Sequence, residues 1–174
     1  MSTDNASNLD TDDEDDLNEI GTDAVSLLTA DHLDVSEMFS EFEALLSDDA
    51  SEDQRAEVVR QICQALTAHA TVEEEILYPA ARDALGDDDM IDEAVAEHAS
   101  VKELIEQIQG MEPSDELYDS TVRMLQESVD AHVEEEEGEL FPRLQDTDLD
   151  LEDLGDRIAQ RKEEVLAALE ADEG

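Results

Sequence analysis

HATVEEEILYP at residues 69–79 returns as HVEEEEGELFP at residues 132–142, so the chain carries HxxxEExxL, an aromatic residue and proline twice. In each copy a glutamate follows a histidine by four positions, Glu73 after His69 and Glu136 after His132. On a helix that spacing stacks imidazole and carboxylate one turn apart on one face. Upstream of the first copy, Val58, Ile62 and Ala65 lead into His69, Val72, Glu73 and Ile76 at steps of three and four. Upstream of the second, Val122, Leu125 and Val129 lead into His132, Glu136 and Leu140 in the same rhythm. Both copies therefore read as parts of amphipathic helices, the second closing near Pro142.

Two further stripes share the rhythm. Val25, Leu28, His32, Val35, Phe39, Phe42 and Leu46 predict a helix over roughly 22–47. Ile91, Ala94, His98, Val101, Ile105 and Ile108 predict another, opened after the GDDD segment at 86–89 and closed by Gly110. Ser51 and Gln54 form a capping-box pattern before the helix of His69. Asp31-His32 and Glu97-His98 are each followed by valine at the same offset, so these two helices also correspond and the unit reads as pseudo-twofold. The expected fold is all-α, an up-down-up-down four-helix bundle over 22–145. An acidic tail at 1–20, with eight acidic and no basic side chains, is expected to be disordered. An additional amphipathic C-terminal helix at 150–172 carries Leu151, Leu154, Ile158, Val165 and Leu169 and is expected either to dock on the bundle or to pack a partner chain, a homo-oligomer included.

Composition excludes several classes. Against 53 Asp and Glu stand 9 Lys and Arg, a net charge of -44 that repels nucleic acid and acidic membrane surfaces. Such self-repulsion is contained by abundant counterions, which points to a high-salt cytoplasm. With 40% hydrophobic residues in clear periods, the chain is not of the disordered class. The single cysteine, Cys63, rules out an intramolecular disulfide framework and a thiolate-rich metal site built by one chain. No apolar run reaches the ~20 residues of a membrane span, and the acidic N-terminus lacks a signal-peptide pattern, so a cytoplasmic location is expected.

The four histidines carry the functional reading. One lies on each predicted helix, and each occupies a core position where leucine or isoleucine would be ordinary. Chance would place all four on the two core positions of a heptad roughly once in 150 cases. A lone core histidine is usually satisfied by backbone or water; four beside buried carboxylates cost several kcal/mol unless a common partner satisfies them. No lysine or arginine occurs in these stripes near the histidines. A divalent cation meets the requirement, and imidazole with carboxylate suits iron, manganese or zinc. Two carboxylates facing each other across a bundle can bridge two cations. The candidate metal residues are His32, His69, Glu73, His98, His132 and Glu136. The neighbouring acids in Glu73 to Glu75 and Glu134 to Glu137 read mostly as solvated faces, with Glu135 the one substitute for Glu136. Tyr78 and Phe141 stand at equivalent places before the two prolines, where they pack helix ends or gate the pocket, and the tyrosine can donate to bound oxygen. Met38, Phe39, Phe42 and Met124 read as core that could also keep water from the metals.

The ordered set of DH, HxxxEE with LYP, EH, and HxxxEE with LFP, over roughly residues 24 to 144, resembles the haemerythrin-like HHE cation-binding domain. The resemblance implies two iron ions, one held by His32 and His69 and the other by His98 and His132, bridged by Glu73, Glu136 and an oxygen atom. It implies dioxygen, nitric oxide or peroxide as ligand. The oxygen carriers of that family have two histidines spaced by four on the third helix; here the flanking residues are Ala94 and Lys102, so one iron has fewer protein ligands. A ferritin-like site would need ExxH on two helices, and no histidine has glutamate three residues before it. The reading favours a binding or sensing module for dioxygen, nitric oxide or iron over an enzyme. The alternatives are a peroxide-detoxifying, catalase-like di-iron enzyme and a zinc-stabilised structural bundle.

Overall fold

A computed structural model describes residues 21–173, and the acidic tail expected at 1–20 lies outside them. The described residues form helices without strands: α1 (Ala24–Ser47), α2 (Glu52–Val72), α3 (Tyr78–Leu85), α4 (Asp88–Gln109), α5 (Tyr118–Glu135), α6 (Phe141–Gln145) and α7 (Leu151–Asp172). A π-helical turn at Glu73–Leu77 joins α2 to α3, and another at Glu136–Leu140 joins α5 to α6. Each pair runs on as one rod, so the fold is the expected four-helix bundle with a fifth helix added.

Local chemistry fixes the ends. The Asp23 side chain accepts from the Ser26 N–H at 2.9 Å at the start of α1. Ser51 and Gln54 complete the capping box of α2, and Asp87 and Asp150 cap α4 and α7. Gly86 closes α3 with φ 63, a left-handed conformation that a side chain would strain.

The second motif helix, expected to close near Pro142, runs past that proline to Gln145. In both copies the chain passes its proline through the π turn, with the Tyr78 N–H donating to the Glu73 carbonyl and the Phe141 N–H to that of Glu136. A proline ring clashes with the carbonyl four residues back in a regular helix, and the widened turn relieves that clash. The added residue also rephases the helix. Tyr78, five residues after Glu73, now shares its inward face, as Phe141 does with Glu136.

α1 packs on α2 and α4 on α5, while α7 docks along both α1 and α2. Leu154 and Ile158 of α7 enter the core. Gly155 sits against the start of α1, where an added Cβ would press on the Thr22 carbonyl oxygen and lie 2.9 Å from the Asp23 carbonyl carbon and 3.0 Å from the Ala24 nitrogen. All three are backbone atoms with little room to yield. Gly155→Ala is expected to destabilise the fold by about 1–3 kcal/mol, about 2–4 °C of melting temperature per kcal/mol. Thermal denaturation at fixed salt checks it, and an unchanged midpoint contradicts this packing.

The core is two apolar clusters. One holds Leu28, Leu77, Ile91 and Leu144 with the α7 residues, the other Phe39, Phe42, Ile62, Ile105 and Leu125. Met124 is 55% exposed and shields nothing, while Phe39 and Phe42 belong to the second cluster. On every rod of the bundle, the histidine falls between the buried residues of the two clusters.

Candidate metal centre

All six candidate side chains are buried, Glu73 completely. α1 brings His32, α2 His69, α4 His98 and α5 His132, and the first residue of each π turn is the glutamate of its motif. The imidazoles meet in pairs through their Nε2 atoms, 3.1 Å apart for His32 and His69 and 3.2 Å for His98 and His132.

Two carboxylates link the pairs. Glu73 Oε1 touches His69 Nε2, and its Oε2 lies 3.1 Å from His98 Nε2 and 3.7 Å from His132 Nε2. Glu136 Oε1 lies 3.2 Å from His32 Nε2, and its Oε2 3.2 Å from His132 Nε2. Potential ligand atoms thus form two groups, one from His32, His69, Glu73 and Glu136 and one from Glu73, His98 and His132, each gathered within 4.8 Å. Glu73 belongs to both.

Glu73 Oε1 and Glu136 Oε1 are buried and meet only the His69 and His32 nitrogens, without an aligned hydrogen bond. A carboxylate oxygen left so in a low-dielectric interior is costly unless a cation balances it. Converging nitrogens, buried carboxylate oxygens that meet only imidazole nitrogens and a second carboxylate oxygen turned to the other pair fit a two-cation site, and the donor set suits iron, manganese or zinc.

In the ion-free arrangement protons carry the balancing charge. Burial opposes charging His69, but Glu73 beside it and the hydrogen bond to Asp31 push its pKa up to about 10. Burial likewise opposes charging His132, and the Glu136 and Glu73 carboxylates push it up to about 11. Burial alone would raise Glu73; the His69 charge and contacts from His132 and His98 outweigh it and hold the carboxyl well below its ordinary value.

Each outward Nδ1 faces a further carboxylate. His69 is hydrogen-bonded to Asp31 Oδ2 at 3.0 Å and His132 to Glu97 Oε2 at 3.1 Å. His32 lies 3.4 Å from Glu137 Oε1 and His98 3.5 Å from Glu74 Oε1, neither aligned as a hydrogen bond. An Nδ1–H held by a carboxylate presents Nε2 as the lone-pair donor that a metal needs. Glu74 and Glu137, read from sequence as solvated, stand behind site histidines. Glu135 is exposed and groups instead with Glu93 and Glu97.

The aromatic pair divides its roles. Phe141 stacks on His32, ring centroids 5.9 Å apart and planes within 4°. Tyr78 reaches the centre: its hydroxyl donates to Glu73 Oε2 at 2.6 Å or Glu136 Oε2 at 2.8 Å and lies 3.2 Å from His98 Nε2. Burial, then the two carboxylates, keep this phenol protonated far above its ordinary range. The equivalence of Tyr78 and Phe141 was visible in the repeat, but the π turn that aims the phenol inward was not.

The centre is approached from three sides. An apolar chamber lies beside all four imidazoles, walled by Val35, Leu66, Val101, Val129 and Val133. A groove between α1 and α5, past Leu33, reaches His32. Between α4 and α5, a mouth edged by Glu93, Glu97, Glu135 and Glu139 reaches His132 and Glu136. No helix of the described residues is long and apolar enough to cross a membrane.

Residues 23–144 match the Hemerythrin HHE cation binding domain. A protein named DNA nickase, from Nostoc sp. (strain PCC 7120 / SAG 25.82 / UTEX 2576), is 38% identical over 115 residues, which cover 66% of this chain and 31% of that protein. The chain thus spans about a third of that relative's length. The crystal structure of a Hemerythrin HHE cation binding domain-containing protein from Mycobacterium kansasii shares the fold at a TM-score of 0.70 and 22% identity, over 84% of this chain and 88% of that one. The six candidate metal residues all lie within the matched segment.

Proposed function

This chain belongs to the hemerythrin HHE cation-binding family, and from that premise we propose that it is a non-haem di-iron protein that binds or senses dioxygen, nitric oxide or iron. The observation carrying the proposal is the buried pairing of four Nε2 atoms around two shared carboxylates, with one oxygen of each carboxylate lacking an aligned hydrogen bond. His32 and His69 would hold one ion and His98 and His132 the other, with Glu73 and Glu136 serving both. Bound iron would supply redox chemistry and open positions for a small ligand.

The chain's own residues do the rest. The chamber walled by valines and leucine favours a small uncharged ligand over a polar substrate and keeps bulk water from the imidazoles. Asp31 and Glu97 hold the tautomers of His69 and His132. Tyr78 supplies a protonated hydroxyl at the Glu73, Glu136 and His98 corner. That hydroxyl also favours a second reading, peroxide consumption, because it is a fixed protonated donor inside the centre. A charge of -44 opposes approach to a phosphate backbone and speaks against DNA as a substrate of this chain. The same charge supports work in a counterion-rich cytoplasm.

Metal analysis with visible absorption, recorded with and without oxygen, tests the proposal. Two irons per chain and oxygen-sensitive bands are expected; two colourless zinc ions would make the centre structural. Peroxide consumption well above that of free iron would move the protein to the second reading.

A further inference from the structure

Behind the four imidazoles stand four outer carboxylates, Glu137, Asp31, Glu74 and Glu97. The chain's two lysines, Lys102 and Lys162, both reach this ring. Lys162 of α7 contacts Asp31 Oδ1, while Asp31 Oδ2 is hydrogen-bonded to His69 Nδ1 at 3.0 Å. Lys102 donates to Glu74 at 2.6 Å and 2.9 Å, and Glu74 Oε1 lies 3.5 Å from His98 Nδ1. Among the described residues, which include every arginine, no arginine pairs with any of the four; the ion pairs they do make run to Asp119, Glu57, Glu173, Asp88, Asp92, Glu43, Asp87, Glu75 and Glu164.

In a chain so short of cations, a lysine on an acid is unremarkable by itself, because almost any surface lysine finds one. Two features set Lys162 apart. Its carboxylate is buried and divides its oxygens, one to the ammonium and one to the imidazole. Lys162 also lies beyond residues 23–144, on a helix outside the segment that matches the family. α7 packs on α1 and α2, which carry Asp31 and His69.

Resting on the iron reading above, we infer that Lys162 is a positioning residue: it orients Asp31 toward His69 and, by its charge, raises the reduction potential of the iron held by His32 and His69. A carboxylate on Nδ1–H makes an imidazole more electron-rich and favours the oxidised metal. An ammonium on the other oxygen of that carboxylate draws density back, and in a partly buried site its charge is weakly screened. The docking of α7 thereby sets the redox poise of the centre. Lys102 is the looser copy, since Glu74 is not aligned on His98.

Spectroelectrochemical titration of the iron-loaded full chain tests this. In Lys162→Gln the oxidised-to-reduced ratio at fixed potential should rise about tenfold, a midpoint about 59 mV lower for a one-electron step. Lys162→Arg should restore the wild-type value, and Lys102→Gln should fall by less. Arg161→Gln, which removes the neighbouring α7 pairs to Glu75 and Glu164, should leave the potential in place. A wild-type midpoint in Lys162→Gln with both irons bound overturns the inference. So does an equal fall in Arg161→Gln, which would trace the shift to looser helix docking. A wild-type chain without an iron pair fails the functional reading itself, and the inference with it.

Discussion

Glu73→Gln is expected to weaken both ion positions at once, by more than the 10- to 100-fold typical of outer-shell changes. Glu73 reaches both histidine pairs, His69 through Oε1 and His98 and His132 through Oε2. Glutamine keeps the size and one carbonyl oxygen but removes the charge and places an amide nitrogen, which has no lone pair to give, where an oxygen faced a histidine. The variant also loses the anion that holds the proton on His69 in the ion-free centre. His32→Ala, by contrast, touches one group only and should spare the second ion. Chelator competition with metal counting separates the two cases. If Glu73→Gln kept two ions at wild-type affinity, the shared-carboxylate arrangement would be wrong.

Metal affinity is expected to climb steeply with pH. In the ion-free protein His69 and His132 hold protons up to about pH 10 and 11, so at neutral pH loading both ions expels two protons. The product of the two association constants should therefore rise up to about 100-fold per pH unit, tenfold for each proton released. For the ion-free fold the sign is opposite. Both folded values lie above the ordinary 6.5, so the stabilisation from these protons is complete below about pH 6.5 and is lost as pH rises through about 10 and 11. The gap between the melting temperatures of loaded and chelated protein should widen from pH 6.5 to 9 at constant salt. A gap that narrows contradicts the placement of these two imidazoles beside the carboxylates.

The polar layer was legible because it violates a strong rule. A histidine in an apolar stripe is conspicuous, and the same register on four helices predicts convergence without knowledge of any contact. Glu73 and Glu136 stood out from their acidic neighbours by phase and by the repeat. The π turns were hidden, since proline in a helical pattern reads as a stop and nothing in Glu73 to Leu77 marks a change from four- to five-residue bonding. With them went the orientation of Tyr78. The outer carboxylates were hidden for a different reason: where acids are so frequent, Glu74 and Glu137 look like their neighbours, and only coordinates tell which of them faces an Nδ1. Lys162 acts across 131 positions, a contact set by the docking of α7 and by no local pattern.

The central claim is that two cations share one buried layer of six side chains. Anomalous diffraction at the iron edge, from crystals of the iron-loaded full chain, tests it most directly. Two peaks are predicted, one between His32 and His69 and one between His98 and His132, both within bonding distance of Glu73 and Glu136. A single peak, or peaks confined to the outer acids Glu93, Glu97 and Glu135, would contradict the account.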